Sequence, residues 1–101
     1  MKLSFRQSGG FGGLILGCEL DTEKLPPADA EELVRLVRQA ALDAVGVRAN
    51  PHGRDLVNYE IVVEDDDRST RASFDDMTMP VSVRSLIDFL NRRAGPIAPR
   101  G

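Results

Sequence analysis

Twice along this chain, a pair of segments that alternate apolar and polar residues is followed by a segment whose apolar residues recur at helical spacing. Period two and period 3.6 bury different faces, so this pattern restricts the fold to strand pairs each followed by a helix. From Lys2 to Gln7, Leu3 and Phe5 point one way while Lys2, Ser4 and Arg6 point the other. Leu14, Leu16, Cys18 and Leu20 share one face of the next segment, with Glu19 opposite. The glycine-rich stretch Ser8 to Gly13 between them reads as a long hairpin tip. After a connector from Asp21 to Pro27, Leu33, Leu36, Val37, Ala40 and Ala44 form an apolar helical stripe. Asp29 with Glu32 three residues on resembles a capping box, and Glu31 with Arg35 is a favourable i,i+4 pair. The helix is expected to end near Val45–Gly46, and residues 47 to 55 to form a loop around Asn50-Pro51 and Gly53.

The second half repeats the order without repeating the residues. Val57, Tyr59, Ile61 and Val63 alternate with Asn58 and Glu60 and predict a third strand. An acidic turn from Asp65 to Ser69 leads to a fourth, in which Thr70, Ala72 and Phe74 face one way. Pro80 suits the first turn of a last helix, whose buried face is Val83, Leu86, Ile87 and Leu90. Arg92 and Arg93 sit at its C-terminal end, where the helix dipole favours cations, and Gly95-Pro96 stop it. The expected fold is therefore α+β with order ββαββα: an antiparallel four-stranded sheet with two helices packed on one face. A chain of 101 residues is expected to form one domain, residues 1–95, with 96–101 as a flexible C-terminal tail.

The bulk properties exclude several classes. With 42% apolar and 29% charged residues the chain has the composition of a folded domain. A net charge of −3 gives no electrostatic footprint for nucleic acid or acidic membranes, so neither is an expected partner. No apolar run reaches the roughly 18 residues of a membrane-spanning helix, and the N-terminus lacks the apolar core of a signal peptide. Cys18 is the single cysteine, so no intrachain disulfide forms. A cytoplasmic protein is the expectation from these features together.

The residue inventory offers little for catalysis. His52 is the one histidine, it lies in the Pro/Gly loop, and no motif places a nucleophile beside it. Cys18 falls on an apolar strand face, the setting of a small buried hydrophobe. No Cys/His cluster offers a zinc site, and no cofactor is expected. Asp65, Asp67, Ser69 and Asp76 stand at positions 1, 3, 5 and 12 of a calcium loop, but Thr70 replaces the glycine at position 6 and the flanks read as strands. The glycine loop lacks the lysine of a P-loop and, with Ile15, the third glycine of the dinucleotide fingerprint. Both phosphate motifs also need a helix after the loop, and here a strand follows. What remains is a tip in which Phe11 either folds back onto the sheet edge or is presented to another protein.

The stretch Ser8-Gly9-Gly10-Phe11-Gly12-Gly13-Leu14 resembles the N-terminal signature of the emfourin (protealysin inhibitor) family, small bacterial inhibitors of thermolysin-like metallopeptidases. Asp55, Tyr59, Ile61 and Val63 resemble that family's third strand, and Pro80, Leu86, Ile87 and Leu90 its last helix. Two positions depart from the pattern: Gln7 stands where an arginine precedes the serine, and Gly12 where a small non-glycine residue follows the phenylalanine. The resemblance implies a non-catalytic protein whose partner is a thermolysin-like zinc metallopeptidase. It implies peptidase contacts at Ser8, Gly9, Gly10, Phe11, Gly12 and Gly13. A secondary contact is expected at Asp75 and Asp76, or at the Asp65 to Asp67 turn, whose carboxylates suit the peptidase zinc. The alternative is a small interaction module that offers a sheet edge to an unrelated partner.

Overall fold

The computed structural model describes residues 1–9, 15–48 and 57–97. Strands β1 (Lys2–Ser8), β2 (Ile15–Asp21), β3 (Asn58–Asp65), β4 (Arg68–Asp75) and β5 (Gly95–Ile97) form one sheet in the order β4-β3-β1-β2-β5. Every neighbouring pair is antiparallel. Helices α1 (Pro27–Ala40), α2 (Leu42–Val45) and α3 (Arg84–Asn91) complete the fold, with a 3-10 turn at Val81–Val83 leading into α3.

The topology explains why the helices share a face. β2 and β3 flank β1 and are both antiparallel to it, so they run parallel to each other and need a crossover, which α1 supplies. β4 and β5 are likewise parallel, and α3 carries the chain back across the sheet between them. The two crossovers travel in opposite directions along oppositely directed strands, so right-handed connections put both helices on the same side. Leu3, Phe5, Tyr59, Ile61, Val63, Ala72 and Phe74 from one sheet face join Leu33, Leu36, Val83, Leu86, Ile87, Phe89 and Leu90 in a single core.

Several expectations need correction. Among the described residues the sheet has five strands rather than four, because Gly95–Ile97, expected as the helix stop and the start of the tail, pair with Ile15–Gly17. Three residues carry no period to read, and Pro96, with no N–H to donate, is admitted because β5 is an edge strand. The first helical segment ends where expected but breaks at Ala41, which takes a left-handed conformation (φ 48°, ψ 53°). That break rotates the stripe: Leu42 and Val45 are buried and Ala44 is exposed. The capping box does not form. Pro26 is the N-cap with no side-chain cap bond, and the Asp29 carboxylate meets Arg93 at 3.5 Å. Arg35 pairs with Glu32 at 3.9 Å rather than with Glu31. Pro80 caps the 3-10 turn rather than opening α3 directly. Arg93 does close α3 as its position suggests, donating to the Phe89 carbonyl at 3.3 Å while its guanidinium lies 3.8 Å above the Phe89 ring.

Edge protection is visible at β4. Residues 46–48 run beside it: the Arg48 amide donates to the Ser73 carbonyl at 2.8 Å, and the Ser73 amide to the Gly46 carbonyl at 3.0 Å. These bonds occupy part of an edge otherwise open to strand addition.

Candidate functional site

Strand register decides what meets at each end of the sheet. Ser8 lies opposite Ile15 on one side and Asn58 on the other. Asn58 lies opposite Asp75, and Ile15 opposite Ile97. The end of β1, the start of β2, the start of β3, the turn after β4 and the end of β5 therefore gather at one end. With strands about 4.8 Å apart, Asp75 stands about 10 Å from Ser8.

Of the expected tip residues, Ser8 and Gly9 are described, while Gly10, Phe11, Gly12 and Gly13 lie outside the described residues. Gly9 has φ 90°, a conformation in which a side chain would be strained. The structure brings Asp75 and Asp76 to the same end, but it commits their carboxylates to the chain itself. Asp75 is 2% exposed, and its Oδ1 accepts from the Met77 amide at 2.8 Å, the Thr78 amide at 2.9 Å and the Thr78 hydroxyl at 3.1 Å. The Asp75 amide in turn donates to Thr78 Oγ1 at 3.0 Å. Asp76 is exposed yet doubly engaged. Its Oδ1 accepts from the Tyr59 hydroxyl at 2.9 Å and its Oδ2 from the Val57 amide at 3.2 Å. These bonds tie the turn after β4 to the start of β3.

The other acidic group lies elsewhere. The Asp65–Arg68 pair closes a two-residue turn at the far end of β4, with Asp66 at φ 52°. An eight-residue strand separates it from Asp76, about 25 Å at strand rise. The calcium spacing thus opens into two strand ends. Among the described residues no three His, Cys, Asp or Glu side chains are placed to hold a metal ion.

Two side chains at this end, Tyr59 and Gln7, enter the sequence reading only as positions in a strand and in the family pattern. Tyr59 stacks between Phe5 (centroids 6.5 Å apart) and Phe74 (5.6 Å) while its hydroxyl reaches Asp76. Gln7 is buried on the helix face, whereas Arg6 is exposed on the open face, as the strand period requires. Gln7 Oε1 has no hydrogen-bond partner among the described residues. An unpaired buried acceptor costs about 1–3 kcal/mol. Burial pushes the half-buried Cys18 thiol pKa up, against a smaller downward pull from Arg93.

Tyr59 gives a direct probe of this end. Burial first, then the bond to Asp76 and its negative charge, push its pKa up to about 12. The folded value lies above the ordinary value of about 10, so this contribution to stability is complete below about pH 10 and is lost as pH rises to about 12. The chain has one tyrosine and no tryptophan, so an ultraviolet absorbance titration reads this group alone. A midpoint well above 10 is expected, falling toward 10 in Asp76→Asn. Tyr59→Phe should flatten the dependence of the unfolding midpoint on alkaline pH. An ordinary midpoint in the native protein would show that the hydroxyl is not held as described.

The fold defines a class: a small α+β domain with Ser8, Ile15, Asn58, Asp75 and Ile97 brought to one end of its sheet. The sequence model of the Emfourin family matches residues 5–91, and the chain belongs to that family. No curated protein and no solved structure matches the chain. Emfourin is a family of metallopeptidase inhibitors, so membership implies a metallopeptidase partner in general and an inhibitor's role rather than an enzyme's. No helix among the described residues is long and apolar enough to cross a membrane.

Proposed function

We propose that this protein inhibits thermolysin-like zinc metallopeptidases by placing the 8–13 hairpin tip in the peptidase cleft. Phe11 fills the apolar pocket that takes the residue after the scissile bond, and Gly9, Gly10, Gly12 and Gly13 let the tip backbone approach closely. The observation that carries this reading is a glycine-flanked aromatic at the tip of a hairpin whose base is paired on both sides, Ser8 with Asn58 and Ile15 with Ile97. Holding both ends of the loop in register lowers the entropy lost when the tip is ordered on binding. Family membership supports the choice of partner. Stoichiometric loss of activity of a thermolysin-like enzyme is the expected result. Full activity at excess inhibitor, together with capture of an unrelated protein, would replace this reading with that of an interaction module.

A further inference from the structure

A tip of six residues, four of them glycine, presents little side-chain area. A stable complex of standard size buries about 800 Å² on each partner. Contact must therefore extend from the tip onto the surface around it. Among the described residues the exposed large apolar side chains are Val47 (70%), Met77 (74%) and Val81 (81%). Two of these flank the tip end. Val47 bridges to Ser73, two residues before Asp75, and Met77 follows two residues after it.

We infer that the turn at residues 75–78 is a second, preorganised contact with the same peptidase, with Met77 as its apolar anchor. This rests on the inhibitor reading above. The partner surface is the apolar rim of the cleft that receives Phe11, since Asp75 lies about 10 Å from Ser8 in the sheet. The acidic residues act here by position and not as metal ligands. Asp75 bonds the Met77 and Thr78 amides and the Thr78 hydroxyl, and Asp76 ties the turn to Tyr59 and Val57. Binding then orders little more than one thioether side chain, whose flexibility suits it to an irregular rim.

Met77→Ala is expected to raise the inhibition constant about tenfold with an unchanged unfolding midpoint. Asp75→Asn, which loosens the turn, should weaken inhibition in the native background and add much less in the Met77→Ala background, because the two act on one contact. In a complex with the peptidase, peroxide oxidation of Met77 to the sulfoxide should slow at least about fivefold relative to the free protein. Inhibition unchanged within about twofold in Met77→Ala, while Phe11→Ala still weakens it, would overturn this inference and leave the inhibitor reading standing. A native protein that does not inhibit at all would overturn both. Loss of inhibition in Asp76→Asn with a silent Met77→Ala would instead assign the turn to zinc ligation.

Discussion

Phe11→Ala is expected to weaken inhibition of a thermolysin-like peptidase about thirtyfold or more. An aromatic anchor in a desolvated pocket carries about 2 kcal/mol or more of binding, and each 1.4 kcal/mol is about tenfold in affinity. The loss should appear mainly in the dissociation rate, since truncating an anchor leaves the encounter unchanged. Phe11→Leu keeps the bulk and apolarity that such a pocket selects and should retain most of the inhibition. The fold is controlled by two readings that need no peptidase: the unfolding midpoint and the Tyr59 titration. An inhibition constant within about twofold of the native value, with both controls unchanged, would remove Phe11 as the anchor. Phe11→Ala and Met77→Ala should combine close to additively if each fills its own part of the peptidase surface.

Much of this fold is legible because its strands have one wet face. In β1 and β4 every core residue alternates with a polar one, and in β3 only Val62 breaks the alternation, so Phe5, Ile61 and Ala72, all 0% exposed, can be assigned to the core from spacing. The last helix is readable for the same reason, and Val83, Leu86, Ile87 and Leu90 are all buried. What escapes is set by single residues or by distant ones. No sequence rule places a left-handed residue at Ala41, where an alanine costs more than glycine and the gain is burial of Leu42 and Val45. β5 is specified by its partner rather than by itself. The candidate site divides similarly. SGGFGG is legible as the expected tip, but the arrival of Asp75 and Asp76 at the end where Ser8 pairs with Ile15 follows from the order β4-β3-β1-β2-β5, which local patterns do not encode. The Asp75 to Thr78 spacing does carry a local signal, since an aspartate bonding amides two and three residues on is a common turn. The Tyr59 bond to Asp76, across 17 residues, carries none.

Gly17→Ala is expected to destabilise the fold, although strand preference alone predicts the opposite sign. Glycine inside a strand weakens it, and alanine relieves about 0.5–1 kcal/mol where space permits. Here it does not. A Cβ at Gly17 would overlap the Phe5 carbonyl oxygen and come within 2.6 Å of Ile97 Cδ1. The two obstacles differ in kind. Ile97 belongs to a three-residue edge strand and its side chain can turn away. The Phe5 carbonyl belongs to the central strand, paired with β2 and β3 at once and backed by a fully buried ring, so it cannot retreat without dragging both ladders. Overpacking of this sort costs about 1–3 kcal/mol, which for a domain of this size lowers the unfolding midpoint by about 5 to 15 °C. Ile97→Ala separates the obstacles. If the isoleucine were the whole clash, Gly17→Ala/Ile97→Ala would recover the midpoint of Ile97→Ala alone; with Phe5 as the main obstacle it should stay well below. Inhibition should fall in Gly17→Ala even where the protein remains folded, because Gly17 lies two residues from Ile15, the last paired residue before the tip. A midpoint equal to or above that of the native protein would mean that β2 can shift relative to β1, and a hairpin base free to shift in that way would no longer keep Ser8 and Ile15 in register.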